Sequence, residues 1–208
     1  MKGKKMVEIR TKLRRLATGI GVAAVAVAAL VSANPAQAMP PPPDHVQAAS
    51  VMSKVVRYAK AIEHGHKEPG WHGGKVPYSW GGGHGGSPGP TLGTCVGYTG
   101  SIQPCPADHT KGADCSGFTR WVYALAFGRD VFGSGNSNDQ IANKHMHKAK
   151  HPKPGDLVFY GSSTSNTHHV GIYIGHGKMI DALHTGTNVE TDSVHVVGDL
   201  LGYYHYSS

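Results

Sequence analysis

Cysteine is scarce in this chain: three in 208 residues, at positions 95, 105 and 115. That number excludes a densely cross-linked scaffold, and because it is odd at least one thiol has no intramolecular partner. A long apolar run is also missing. The stretch from Leu16 to Val31 is rich in Ala and Gly and is short for a bilayer span. There is no internal repeat and no second binding module, so a monomer is expected.

A charge excess is lacking too, once the N-terminus is set aside. Lys2, Lys4, Lys5, Arg10, Lys12, Arg14 and Arg15 face only Glu8 ahead of the apolar run, and Ala36-Gln37-Ala38 follows it. That order reads as a secretory signal over residues 1–38, with an uncleaved anchor as the alternative. The whole chain carries 20 basic and 13 acidic residues, but residues 1–38 hold 7 of the former and one of the latter. The remaining 13 and 12 nearly balance, which argues against nucleic acid as a partner. After cleavage no stable membrane insertion is expected, and export places the chain where cysteines pair. Cys95 and Cys105 bracket a Gly/Pro-rich loop and can close it as a disulfide, leaving Cys115 free.

Pro40 to Pro43 lie in a stiff spacer, residues 39–45, ahead of a single domain over 46–208. Asp44 and Gln47 form a capping-box pattern, and Val46, Ala49, Met52, Val56, Ala59 and Ile62 recur at helical spacing up to Gly65. Residues 64–113 read mostly as loop. Asp114 caps a second helix whose apolar face is Phe118, Trp121, Val122 and Leu125, with Gly128 at its end. Ile141 and Ala142 follow a polar stretch and suggest another short helix. Strands are expected at 156–160, 169–174, 179–183, 194–197 and 201–206. Helices first and strands afterward imply an α+β fold with a largely antiparallel sheet.

Cys115 sits just inside the capped start of the second helix. Free N–H groups and the helix dipole stabilise an anion there and lower a thiol pKa, and the same N–H groups can hold a developing oxyanion. His169 begins a strand. A hairpin turning at Gly175-His176-Gly177-Lys178 sets His169 directly opposite Asp181, which can then fix the ring tautomer. Thiol, imidazole and carboxylate are the equipment of covalent acyl transfer. His168 points to the face that carries Val170 and Ile172. Tyr78, ahead of a glycine run, either lines a cleft or is an ordinary core aromatic.

Four segments together resemble the NlpC family of papain-like bacterial cell-wall peptidases: Pro77-Tyr78-Ser79-Trp80-Gly81-Gly82, Asp114-Cys115-Ser116-Gly117-Phe118, Pro154-Gly155-Asp156-Leu157-Val158-Phe159, and His169-Val170-Gly171-Ile172-Tyr173-Ile174-Gly175. The resemblance spans roughly residues 50–206. It implies a papain-like fold in which a nucleophile-bearing helix packs against an antiparallel sheet. It also implies a secreted, wall-associated cysteine endopeptidase acting on peptidoglycan stem peptides, most often at the bond between D-γ-glutamyl and a diamino acid, through a thioester. Cys115 is then the nucleophile, His169 the general base and Asp181 the orienting group. Tyr78, Asp114 and Ser116 fall where relatives shape the substrate subsite. No metal or organic cofactor is implied.

Other readings use the same residues. Amidase cleavage or acyl transfer needs the same Cys/His pair, and a wall-binding protein can keep the fold without activity. Histidine is plentiful, but His64-Gly65-His66 and His145-Met146-His147 lack the Cys or acidic partners of a closed zinc site.

Overall fold

The computed structural model describes residues 44–207, with side chains from residue 50 onward. The expected signal at 1–38 and the proline run lie outside the described residues, as do the side chains of Asp44 and Gln47.

Helix α1 (Asp44–Glu63) opens the described chain. It buries Met52, Val55, Ala59 and Ile62, a stripe repeating every three to four residues. Val55 occupies the face that the sequence pattern assigned to Val56, which is only half-buried. Helix α2 (Cys115–Phe127) is capped by Asp114, whose carboxylate accepts from the Gly117 N–H at 2.8 Å, and ends at Gly128 in the left-handed region. A short α3 (Ser137–Ile141) begins with a capping box built by Asn136 and Asp139.

Two residue pairs, β1 (Thr91–Leu92) and β2 (Lys111–Gly112), form a small ladder inside the glycine-rich region. The main sheet contains β3 (Met146–Lys148), β4 (Leu157–Ser163), β5 (Asn166–Gly175), β6 (Lys178–Asp181), β7 (Glu190–Ser193) and β8 (Leu200–Tyr206). Its order is β3-β8-β4-β5-β6-β7, antiparallel throughout, so the expected α+β class is the one observed. One face buries Leu157, Phe159, Val170, Ile172 and Ile180 against Phe118, Trp121 and Val122 of α2. The other carries a smaller cluster of Val158, Tyr160, Met179 and Val194.

Besides the two-residue β1 and β2, the strands missed in the sequence are the edges of the main sheet. β3 reads Met-His-Lys and β7 reads Glu-Thr-Asp-Ser, without apolar alternation because an edge strand has little core to face. Residues 194–197, expected as a strand, instead form a turn whose Val194 carbonyl accepts the Tyr160 hydroxyl at 2.8 Å.

Candidate active site

Cys115 is positioned by contact between the glycine run and the start of α2. Gly82 O accepts the Asp114 N–H at 3.0 Å, and Tyr78 bridges to Ala113 in parallel. Gly83 lies so close to Gly117 that a Cβ on Gly83 would stand 2.6 Å from the Gly117 α-carbon. Only two residues without side chains allow that approach. The loop therefore docks on the first turn of the helix and carries Tyr78 and His84 to a cavity that Cys115 also lines.

Beside Cys115 on the helix side, Asp114 is the centre of a network. His84 Nε2 is 2.9 Å from each Asp114 carboxylate oxygen, and its Nδ1 is 3.0 Å from Ser134 O. Both ring nitrogens thus face acceptors, the arrangement of a doubly protonated imidazole. Burial pulls the His84 pKa down, but hydrogen bonding to Asp114 and its charge outweigh this and raise it above the usual value. Ser116 is buried and donates its hydroxyl to Asp114 at 3.0 Å. Asp114, Ser116, His84, Tyr78 and Cys115 line a cavity of about 630 Å³.

On the strand side, His169 Nε2 lies 2.6 Å from Asp181 Oδ2, with the two side chains 5 % and 0 % exposed. The pairing is diagonal instead of directly opposite. Ile172 faces Ile180 and Tyr173 faces Met179, a register that sets Asp181 level with Gly171. The reason is the turn: it contains only His176 and Gly177, both at positive φ, and a register shift follows at Gly175. Asp181 still reaches His169 because Gly171 leaves its space open; a Cβ there would be 3.2 Å from that of Asp181. Asp181 Oδ1 has no hydrogen-bond partner.

His168 does not join Val170 and Ile172 in the core, contrary to the parity expectation. A bulge between Tyr160 and Gly161 leaves it unpaired in the ladder, exposed, and 2.7 Å from Asp199.

Cys115 and His169 line one cavity of about 310 Å³ together with Tyr78, Trp80 and Tyr98. Among the described residues no hydrogen bond joins the sulfur to the His169 ring; the Val170 and Ser116 backbone amides interact with the sulfur instead. With Nε2 held by Asp181, Nδ1 is the ring nitrogen left for the thiol. Helix position does not lower the thiol as expected. Burial, then the charges of Asp114 and Asp181, push it up to about 12 against the pull of the two amides. Tyr78 is likewise raised, first by burial and then by Cys115 and Asp114; it belongs to the core cluster and also lines both cavities.

Cys95 and Cys105 are joined, as expected, and Cys115 is a free, half-buried thiol. Sequence reasoning missed His84 and Tyr98, which stand in the loop without periodicity to mark them. Among the described residues, no group of three or more His, Cys, Asp or Glu is placed to hold a metal ion, and no helix is long and apolar enough to cross a membrane.

Comparison with known proteins agrees with this arrangement. The chain is 46% identical over 93 residues to "Probable endopeptidase p60" of Listeria grayi, covering 44% of this chain and 16% of that protein. It is 36% identical over 124 residues to "Peptidoglycan endopeptidase RipB" of Mycobacterium tuberculosis, covering 59% of this chain and 44% of RipB. It thus spans less than half the length of either relative. Among solved structures, the Resuscitation Promoting Factor Interacting protein RipA, in a form mutated at a glutamate, superposes with a TM-score of 0.58 at 27% identity, over 81% of this chain and 67% of that one. The model of the NlpC/P60 family matches residues 74–198, which include the glycine run, the start of α2 and the β5–β6 hairpin, and on that match the chain belongs to the NlpC/P60 family.

Proposed function

We propose that this protein is a cysteine endopeptidase that cleaves peptidoglycan stem peptides, with Cys115 as nucleophile, His169 as general base and Asp181 as the group that orients it. The observation that carries the reading is a free thiol at a capped helix start, sharing a cavity with an imidazole whose other nitrogen is held by a buried carboxylate. Two findings from the relatives support it. Those with names that state an activity are endopeptidases. RipA has been solved with substitutions at a cysteine, a histidine and a glutamate, the last two 12 residues apart, as are His169 and Asp181.

The chemistry on this reading starts from a neutral thiol. His169 Nδ1 takes the Cys115 proton as the sulfur attacks the scissile carbonyl; in a ligand-free site such hydrogen bonds are often open and close with substrate. The first-turn N–H groups of α2 hold the oxyanion. The tetrahedral intermediate collapses to a thioester as the amine leaves with the proton from His169. Water, deprotonated by His169, then releases the acid and restores the thiol. Asp181 keeps the ring in one tautomer and offsets the charge of the imidazolium. Tyr78, Asp114 and Ser116 line the walls on which the stem peptide rests.

The bond between D-γ-glutamyl and a diamino acid is the proposed target. Export through residues 1–38, the spacer at 39–45, a monomeric state and a place at the cell wall complete the proposal. Digestion of defined muropeptides by the wild-type chain and by Cys115→Ala, with products read by mass spectrometry, tests it. A new free amine and carboxylate at that bond, lost in the variant, is the expected result. An undiminished rate in Cys115→Ala rejects the cysteine mechanism, and binding without turnover by the wild type points to a silent wall-binding protein.

A further inference from the structure

The cavity that holds Cys115 and His169 has a wall the family motifs do not include. Tyr98, Thr99, Gly100 and Ser101 line it, all within the loop that the Cys95–Cys105 disulfide closes. Leu183, His184 and Thr185 line the same cavity from the segment after β6. The two walls touch, since a Cβ on Gly186 would come within 2.9 Å of Ile102 Cδ1.

Each wall presents a buried hydroxyl with no hydrogen-bond partner, Tyr98 OH and Thr185 Oγ1. Among the described residues only four buried side-chain polar atoms are unpaired, and two of them belong to this one cavity. A buried hydroxyl without a partner is costly, and such groups cluster where a ligand supplies what is missing. Tyr98 is also braced. Its ring meets Trp80 edge-on at 5.7 Å, the Trp80 indole donates to Val96 O at 2.8 Å, and the hydroxyl rests on Gly100, where any Cβ would collide with it. Gly100, having no side chain, leaves the Tyr98 hydroxyl its space.

Two hydroxyls are two donors, and they call for an acceptor oxygen. A γ-linked glutamyl residue leaves its α-carboxyl free, on the carbon that bears the nitrogen, whereas an α-linked one leaves the carboxyl at the end of its side chain; either lies on the acyl side of the scissile bond. We propose that Tyr98, with Thr185, determines specificity by donating to the α-carboxyl oxygen of that residue, whether it is a carboxylate or a carboxamide. The disulfide keeps the Tyr98 wall in place. This rests on the endopeptidase reading above and adds the group that the cleft selects.

Binding separates the two ideas if it is measured without turnover. Three synthetic tripeptides are titrated into Cys115→Ala and Cys115→Ala/Tyr98→Phe by calorimetry. One carries γ-D-glutamate with its free carboxylate, one the α-carboxamide, and one γ-aminobutyrate, which lacks the group. The expected result is a loss on Tyr98→Phe of roughly tenfold for the carboxylate, a few-fold for the carboxamide and none for γ-aminobutyrate. Cys95→Ser/Cys105→Ser, which frees the loop, should erase the same preference. If Tyr98→Phe fails to fold by circular dichroism, Thr185→Val is read against the same three ligands. An equal loss for all three, or no loss, overturns the proposal and leaves the endopeptidase reading standing. No binding of any tripeptide, together with no digestion by the wild type, overturns both.

Discussion

Two aspartate–histidine pairs flank Cys115, and they differ in almost everything except their chemistry. Asp181 and His169 are sealed in the sheet, with one carboxylate oxygen unpaired. Asp114 and His84 lie on the helix side, partly exposed, with Asp114 receiving His84, Ser116 and the Gly117 amide. A buried pair of few bonds holds one ring in one orientation and reacts sharply to any change of charge. A half-exposed pair of many bonds holds a helix end and tolerates more. On the proposed mechanism the strand-side pair serves catalysis, and the helix-side pair sets the environment of the thiol.

Breaking the strand-side pair should have the largest effect. Asp181→Asn removes a charge-assisted bond worth about 1.5–3 kcal/mol, so kcat on a muropeptide is expected to fall by roughly one to two orders of magnitude. The fold should remain intact by circular dichroism. A change of less than threefold would mean that Asp181 does not orient His169.

The helix-side pair can be sharpened by charge alone. Asp114→Asn keeps an N-cap side chain but removes the carboxylate that raises the thiol. Alkylation of Cys115 by iodoacetamide should then be several-fold faster at fixed pH. In the wild type that rate should keep climbing from about pH 7 to pH 10, because the thiol is pushed up to about 12. A plateau near neutrality would mean that the helix start had won over burial.

The smallest effect is expected at His84. Its folded-state pKa is raised above the unfolded value of about 6.5. The stability it contributes is therefore fully present below about pH 6.5 and is lost as pH rises through the folded value. The difference in melting temperature between wild type and His84→Gln should be greatest at acid pH and shrink as pH is raised. A difference that grows with pH would reverse the assignment.

Much of this was legible in the residues. Asp114 as cap, Gly128 as stop and the apolar face of α2 follow from local rules, and each is where those rules put it. The central strands carried their alternation because both neighbours and a core face constrain them. β3 and β7, at the sheet edges, had no such constraint to write into the sequence. At the site, the parity of His169 and Asp181 was readable, but the register between them was not, because the turn is centred between His176 and Gly177 instead of at Gly175 and sets Asp181 level with Gly171, two residues along from His169. The thiol shows the same limit: a helix start lowers its pKa by a local rule, whereas the burial that raises it comes from distant segments folding over it.

The sequence by itself determined the free cysteine, the helix it begins, the hairpin and the family motifs, since each depends on neighbours a few residues away. Tertiary structure alone decided that His84 clasps Asp114 from 30 residues upstream and that Tyr98 and Thr185 line one cavity. Such contacts depend on how loops without periodicity close over a packed sheet, and no local spacing encodes where those loops come to rest.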